Sequence, residues 1–410
     1  MESLSPLEKQ FIRDHLTDDV RQLVLRPQPA NLDIRKLAAQ LAARQKTRDK
    51  LPSWYANEEV LYPPALSVEQ ASSEQTARYK ASLVAGDQLI DLTGGMGVDT
   101  WAFGQRVRRV TYVDRQADLV QHAAHNLPVM GTPAIDVRLG DGLSVVAALP
   151  GAVDWLYLDP HRRDGQGGKV VRLADCEPDV SNPAVVSELL TKAAHILLKT
   201  SPIIDIEATI RQLTGPAGHP DAARVDAVHV VAVQGEVKEV LFVLSRSKSA
   251  LAAIEINAVN LLTDRVVRLQ FTPAEERASA VVFGDPQTFL YEPNAAVLKA
   301  GAFRLVADRY GLTKLAPNSH LYTSLTHNPD VPGRSFVLDG IIKPDRNSLR
   351  TVLPSMKANL TVRNFPQTVA ELRKKLNLQE GGDVYIFATT LLNGDKRLLL
   401  TRKADAVARS

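Results

Sequence analysis

A single cysteine, Cys176, stands among 410 residues. One thiol excludes an internal disulfide and any zinc site built from several cysteines, so no metal is expected and a passive thiol is the natural reading. No apolar run approaches the roughly 20 residues that cross a bilayer, which excludes a membrane as partner. Residues 1–19 are rich in acids and bases and lack the apolar stretch of a signal peptide. These absences predict a cytoplasmic protein. Charge of one sign is missing too: 49 Lys and Arg face 46 Asp and Glu, a net charge of +3, too little to imply nucleic acid by itself. The chain also has no internal repeat and no low-complexity stretch.

What is present is an ordinary globular composition, 45% hydrophobic and 23% charged, long enough for two or three domains. Residues 1–80 read as a helical region. Apolar residues at helical spacing predict a helix over 6–25. Asp33 is placed to cap a second helix, which should stop at Leu51-Pro52. A further helix over 73–84 leads into the first strand. Residues 81–248 alternate strand and helix, which predicts a mainly parallel sheet covered on both faces and closed by an antiparallel pair. Residues 249–335 read as a small α+β segment, with strands over 251–271, a helix over 291–310 and a loop-rich stretch over 318–336. Residues 336–410 give a strand–helix–strand–strand unit whose turns carry Gly381-Gly382 and Asn393-Gly394. From Arg334 to the end, fourteen Lys and Arg face seven Asp and Glu. That surplus suits phosphate contacts or simply a solvated face.

The chemistry concentrates in four places, each after a strand. Asp91-Leu-Thr-Gly-Gly-Met-Gly97 is a glycine-rich loop that lets backbone approach a ligand closely. It is neither the dinucleotide fingerprint G-x-G-x-x-G nor a P-loop, because no Gly-Lys-Ser/Thr follows. Asp114 ends the second strand some twenty residues on, where an acid can take both hydroxyls of a ribose or start the next helix. Asp141, in Leu139-Gly-Asp-Gly142, can accept from an adenine amino group or belong to a turn. Asp159-Pro160 ends the fourth strand in Tyr157-Leu-Asp-Pro-His-Arg-Arg163, at the strand ends where open α/β sheets bind ligands.

This constellation resembles the class I S-adenosylmethionine-dependent methyltransferases over residues 73–244. The resemblance implies a Rossmann-like core with a seven-stranded, mostly parallel sheet. It implies that Asp91, Thr93, Gly95 and Gly97 hold the methionine part of S-adenosyl-L-methionine, Asp114 the ribose and Asp141 the adenine. Asp159 and Pro160, with His161 and Arg162, would then face the methyl group and substrate. Thr93 departs from the glycine usual at that place, a variant found in several RNA methyltransferase branches. Ser72-Ser-Glu-Gln-Thr-Ala77, Tyr291-Glu-Pro-Asn-Ala-Ala296, Arg363-Asn-Phe-Pro366 and Leu372-Arg-Lys-Lys375 extend the likeness to a bacterial family with a ferredoxin-like segment and a THUMP-like tail. THUMP domains proper belong to RNA-modifying enzymes, so RNA is the implied partner, rRNA or tRNA, by fold-level analogy.

Arg163, Lys169 and Arg172, around the glycine-rich stretch 164–168, are candidate substrate contacts, since Arg suits phosphate. Arg373, Lys374 and Lys375 are the candidates in the tail. His161-Arg162 replaces the Pro-aromatic pair that stacks an adenine or cytosine, and Cys176 lies in no recognised nucleophile motif. A nitrogen of guanine is therefore the favoured acceptor. The competing readings are a methyltransferase for a small molecule or protein, and a protein that binds S-adenosylmethionine or RNA without turnover.

Overall fold

The computed structural model describes residues 3–25, 31–162, 172–214, 223–246 and 253–404. The chain divides into two compact units, Met1–Val228 with Lys238–Ala252, and His229–Val237 with Ala253–Ser410.

The first unit opens with helices. Ser5 caps Pro6–Asp14 through a reciprocal bond set with Glu8. The single helix expected over 6–25 is broken at residues 15–19. A second helix, Val20–Leu25, follows, because the Thr-Asp-Asp turn offers side-chain oxygens that compete with the helical ladder. Asp33 caps Ile34–Thr47 as the sequence predicts, accepting from Lys36 N. Leu37 and Leu41 of that helix pack with Ile12, Leu23 and Leu61 in one apolar cluster. Pro52 does not end in coil. It opens the short helix Pro52–Ala56 at its first position, where the missing N–H costs nothing. Helices Ala65–Gln70 and Glu74–Leu83 lead into the sheet.

The strands of the first unit are β1 (Gln88–Asp91), β2 (Arg109–Asp114), β3 (Asp136–Leu139), β4 (Val153–Leu158), β5 (His161–Arg162), β6 (Cys176–Glu177), β7 (Ala193–Thr200) and, apart from residues 229–237, β8 (Ala223–Val233) and β9 (Glu236–Arg246). β5 and β6 form a separate antiparallel ribbon. The others are ordered β8-β9-β7-β4-β1-β2-β3. β4, β1, β2 and β3 run parallel with β7, and β9 is antiparallel to β7. The central strand β4 is buried at all but Asp154 because both faces are covered, whereas β3 at the edge is mostly exposed. The hydrogen-bonded set counts nine strands rather than the seven expected: β10 (Glu255–Leu261) and β11 (Val266–Phe271) follow β8, whose residues 229–233 belong with them to the second unit. The tip of the β8–β9 hairpin belongs to that second unit, where Gln234 N donates to Leu261 O.

The rest of the second unit holds an eight-stranded sheet of β12 (Val282–Phe283), β13 (Phe289–Pro293), β14 (Thr313–Lys314), β15 (Tyr322–Ser324), β16 (Gly333–Ile342), β17 (Asn359–Arg363), β18 (Tyr385–Thr390) and β19 (Lys396–Lys403). Its order is β12-β14-β15-β13-β16-β19-β18-β17. The helix expected over 291–310 starts later: Tyr291 is fully buried in β13 and helices run Ala295–Ala300 and Phe303–Arg309. Asn294 caps the first of these and sets the boundary. The stretch expected as loop over 318–336 contains β15 and the start of β16. Leu398 and Leu400 face one apolar cluster with the helices Arg346–Val352 and Val369–Leu376, and Leu399 faces another with Phe336 and Phe387.

Candidate functional site

The carboxyl ends of β1, β2, β3 and β4 open on a cleft of about 580 Å³ in the first unit. Its floor is the loop after β1. Asp91 is completely buried; Oδ1 accepts from Thr93 N at 3.0 Å and Oδ2 from Thr100 Oγ1 at 2.5 Å. Burial, with Asp99 and Asp159 nearby, pushes its pKa up to about 7. Asp91 therefore pins the loop to the following helix, Val98–Gly104. A Cβ on Gly94 would sit 2.1 Å from the Tyr112 ring, so only glycine fits. Tyr112 in turn donates to Gly95 O at 2.7 Å. Gly97 takes φ +88° at the mouth of the helix.

Thr93 has a function of its own. Its Oγ1 accepts from Asp159 N at 2.7 Å, tying the loop after β1 to the end of β4. Asp114 is half-buried; its Oδ2 accepts from Gly95 N and its Oδ1 from Gln116 N, both at 2.8 Å. The residue flanking the next helix is Gln116, without a side-chain cap, so Asp114 is not that cap. Asp141 is one: its Oδ2 accepts from Ser144 N and Oγ. Its Oδ1 is held by Arg115, which also reaches Glu177 at 2.7 Å. Asp159 Oδ2 pairs with Lys199 of β7, and Oδ1 is without a partner among the described residues. Burial alone would lower the Lys199 pKa, but Asp159, Glu239 and Asp99 outweigh it and raise it.

Beneath the loop lies a buried charge network. Lys80 is wholly buried and donates to Ser72 Oγ and Glu239 Oε2, both at 2.8 Å, with Asp99 Oδ1 at 3.1 Å. Asp99 Oδ2 accepts from Ser72 Oγ and Tyr157 OH. Glu239 Oε1 has no hydrogen-bond partner among the described residues. The helical segment before β1 is also part of the site, since Leu66, Ser67, Gln70 and Ser72 line the cleft.

Of the residues singled out in the sequence, Asp91, Thr93, Gly95, Gly97, Asp114, Asp141, Asp159 and His161 line this one cleft. Pro160 lines a second cavity of about 230 Å³ with Lys199 and Cys176. Arg162 lies in β5 by its backbone, and Arg163 and Lys169 lie outside the described residues. Arg172 is exposed beside the short helical turn Leu173–Asp175. Arg373, Lys374 and Lys375 occupy the last turn of Val369–Leu376 in the second unit, where cations complement the helix dipole. Arg373 is mostly covered, with Glu380 at 3.8 Å. The sequence reading missed Lys199, Lys80, Asp99 and Glu239. A lysine inside the apolar strand His195-Ile-Leu-Leu-Lys199 was the available sign of the first, because a charge there needs a partner. Among the described residues no cluster of His, Cys, Asp and Glu is arranged to hold a metal, and no helix is long and apolar enough to cross a membrane.

The chain is similar to several known proteins. A family model described as a ferredoxin-like domain matches residues 289–332, and one described as THUMP domain-like matches 333–403. An uncharacterized S-adenosylmethionine-dependent methyltransferase of Mycobacterium tuberculosis is 24% identical over 330 residues, 79% of this chain and 83% of its own. The crystal structure of a Porphyromonas gingivalis W83 protein, assigned as a methyltransferase, is 34% identical with a TM-score of 0.84. The match covers 97% of this chain and 98% of that one.

Proposed function

The chain belongs to the bacterial class I S-adenosylmethionine-dependent methyltransferases that carry a THUMP-like C-terminal domain, and we propose that it methylates a base nitrogen of RNA, rRNA or tRNA, with guanine as the preferred base. The observation that carries the cofactor half of this reading is the state of Asp114. Each carboxylate oxygen accepts one backbone N–H, and a carboxylate has about four lone-pair sites. One acceptor position per oxygen remains, which suits two neighbouring ribose hydroxyls. The glycine loop fits the rest, because at Gly94 any side chain would strike Tyr112. When bound, S-adenosylmethionine supplies a methyl group on a sulfonium, open to in-line displacement.

The chain's own residues then have separable tasks. Asp91 keeps the loop in shape through its bonds to Thr93 N and Thr100 Oγ1. Thr93 fixes the backbone of Asp159. Lys199 holds Asp159 Oδ2, which leaves Oδ1 to orient the acceptor N–H and take its proton. Asp141 contributes to an adenine contact only if Arg115 yields, because its oxygens are already engaged.

Guanine is favoured for two reasons. His161-Arg162 stands in place of the Pro-aromatic pair that stacks an adenine, and Cys176 is buried with its thiol directed at Arg172 O, a poor setting for the nucleophile that pyrimidine carbon methylation requires. RNA is favoured by the THUMP-like match, whose segment carries the basic surplus of the chain.

The test is calorimetric titration with S-adenosylmethionine beside the Asp114→Ala variant, then methyl transfer to hypomethylated RNA. Micromolar binding that falls at least tenfold in the variant is expected, as two charge-assisted hydrogen bonds are worth about 1.5–3 kcal/mol each. Equal binding by the variant would remove Asp114 from the site.

A further inference from the structure

The cavity of about 230 Å³ beside Pro160 has no part in holding the cofactor as described above. It is lined by Pro160, Leu173, Cys176, Lys199, Thr200 and Ser201, with Ile203 and Ile204 completing the wall. We propose that it is the pocket for the methyl-accepting base, that it takes the edge of a guanine where a carbonyl adjoins a ring N–H, and that Lys199 reads that carbonyl. The proposal rests on the methyltransferase reading given above.

Three observations support it. The first is placement. Asp159 lines the larger cleft and Lys199 lines the smaller cavity, yet the two side chains are bonded to each other. The ion pair is the boundary between the two spaces, and a methyl group crossing from one to the other passes beside it. The second is size. The cavity is smaller than the roughly 300–1,000 Å³ of sites for drug-sized ligands. It suits one planar ring system, not a whole nucleotide, and enzymes that work on a base swing it out of the stack into such a pocket. Leu173 and Ile204 are buried and, with Pro160, offer apolar walls for the ring faces.

The third is the donor and acceptor pattern. An ammonium has three N–H groups, and among the described residues the hydrogen bond of Lys199 is the one to Asp159. Its charge is balanced by Asp159, with Glu239 and Asp99 near, so it is a fixed cationic donor. Two N–H groups remain for a ligand acceptor, and Asp159 Oδ1 remains for a ligand N–H. Guanine presents O6 and N1–H side by side and meets both. Adenine has no carbonyl there and no ring N–H.

The experiment is ligand-observed saturation transfer and titration with guanosine, inosine and adenosine on the full chain saturated with S-adenosylhomocysteine. Guanosine and inosine, which share the carbonyl and ring N–H, should bind, and adenosine should bind at least tenfold more weakly. Ile203 is 56% exposed, so Ile203→Trp can fill the cavity mouth without disturbing the core; it should abolish guanosine binding and leave S-adenosylhomocysteine affinity unchanged. Lys199→Met should weaken guanosine about tenfold or more, the effect of losing a charged donor. Guanosine binding that survives Ile203→Trp, or adenosine binding equal to guanosine, overturns the proposal. So does a protein that binds S-adenosylhomocysteine but no nucleoside at millimolar concentration. Failure to bind S-adenosylhomocysteine would instead overturn the function proposed above.

Discussion

Two buried glutamates, one in each unit, are held in opposite ways. Glu292 of β13 is saturated: Arg363 donates to Oε1 and Arg334 to Oε2, each through two nitrogens of its guanidinium. Both arginines keep contact with solvent, at 35% and 50% side-chain exposure. Glu239 of β9 has, among the described residues, one ammonium, that of Lys80, on Oε2 and nothing on Oε1. Lys80 has no exposure at all and is shared with Asp99; burial raises the Glu239 pKa. The first arrangement is a finished clip that joins three strands. The second is an unfinished network that joins two helices and a strand beneath the glycine loop. A partly satisfied polar network in a dry interior is costly, and such cost concentrates where a protein works.

The comparison breaks most visibly at Lys80. Lys80→Met strands two buried carboxylates and should cost about 3–5 kcal/mol in urea unfolding. Adding Glu239→Leu should recover part of that loss, because replacing a buried pair by apolar groups is far milder than halving it. A loss from the single variant as small as that of a surface pair would show that water already reaches the network.

Glu292→Ala should cost less, about 1–3 kcal/mol, since both freed guanidinium groups can turn to solvent. Cofactor affinity should stay where it was in the same titration, and a drop there would tie this clip to the first unit's chemistry.

A third contrast is one of pH. Asp91 has a folded pKa of about 7 against roughly 4 when unfolded. The folded state therefore holds its proton across that window, and the contribution to stability, full below about pH 4, is lost as pH rises through 7. Asp91→Asn keeps a neutral group there at every pH. Its stability relative to the parent should improve between pH 5 and pH 8 in paired unfolding curves; a constant gap would mean that Asp91 is ionised throughout.

The smallest effect belongs to Arg115, which is 52% exposed in its side chain. Arg115→Ala should leave stability within about 1 kcal/mol, as for most exposed pairs. By releasing Asp141 it should tighten S-adenosylhomocysteine slightly, and weaker binding would make Arg115 itself a ligand contact.

Much of this was legible in the residues. The alternation over 81–248 predicted the parallel sheet, and Asp33 placed a helix start correctly, since a cap is a local event. Asp91, Asp114, Asp141 and Asp159 were identified as a set because each follows a strand, and strand ends gather on one side of such a sheet. What local pattern could not carry is partnership over distance. Lys80 and Glu239 meet across 159 positions, and nothing near either residue announces the other. The sequence predicts a helix at Tyr291 because a short apolar run does not separate strand from helix; the cap at Asn294 marks where the helix begins. In the sequence Thr93 is a departure from a glycine position; in the structure its hydroxyl forms the tie to Asp159.

The β8–β9 hairpin carries a practical consequence for anyone who would dissect the chain. Its root belongs to the first unit and its tip to the second, so the polypeptide passes between units more than once. No single cut yields two self-sufficient fragments. Ending a fragment near residue 252 would leave residues 229–237 without the strand they pair with, as an exposed β edge inviting aggregation. The gene is better treated as one indivisible cistron for expression, and a minimal catalytic version would need the hairpin tip replaced by a tight two-residue turn.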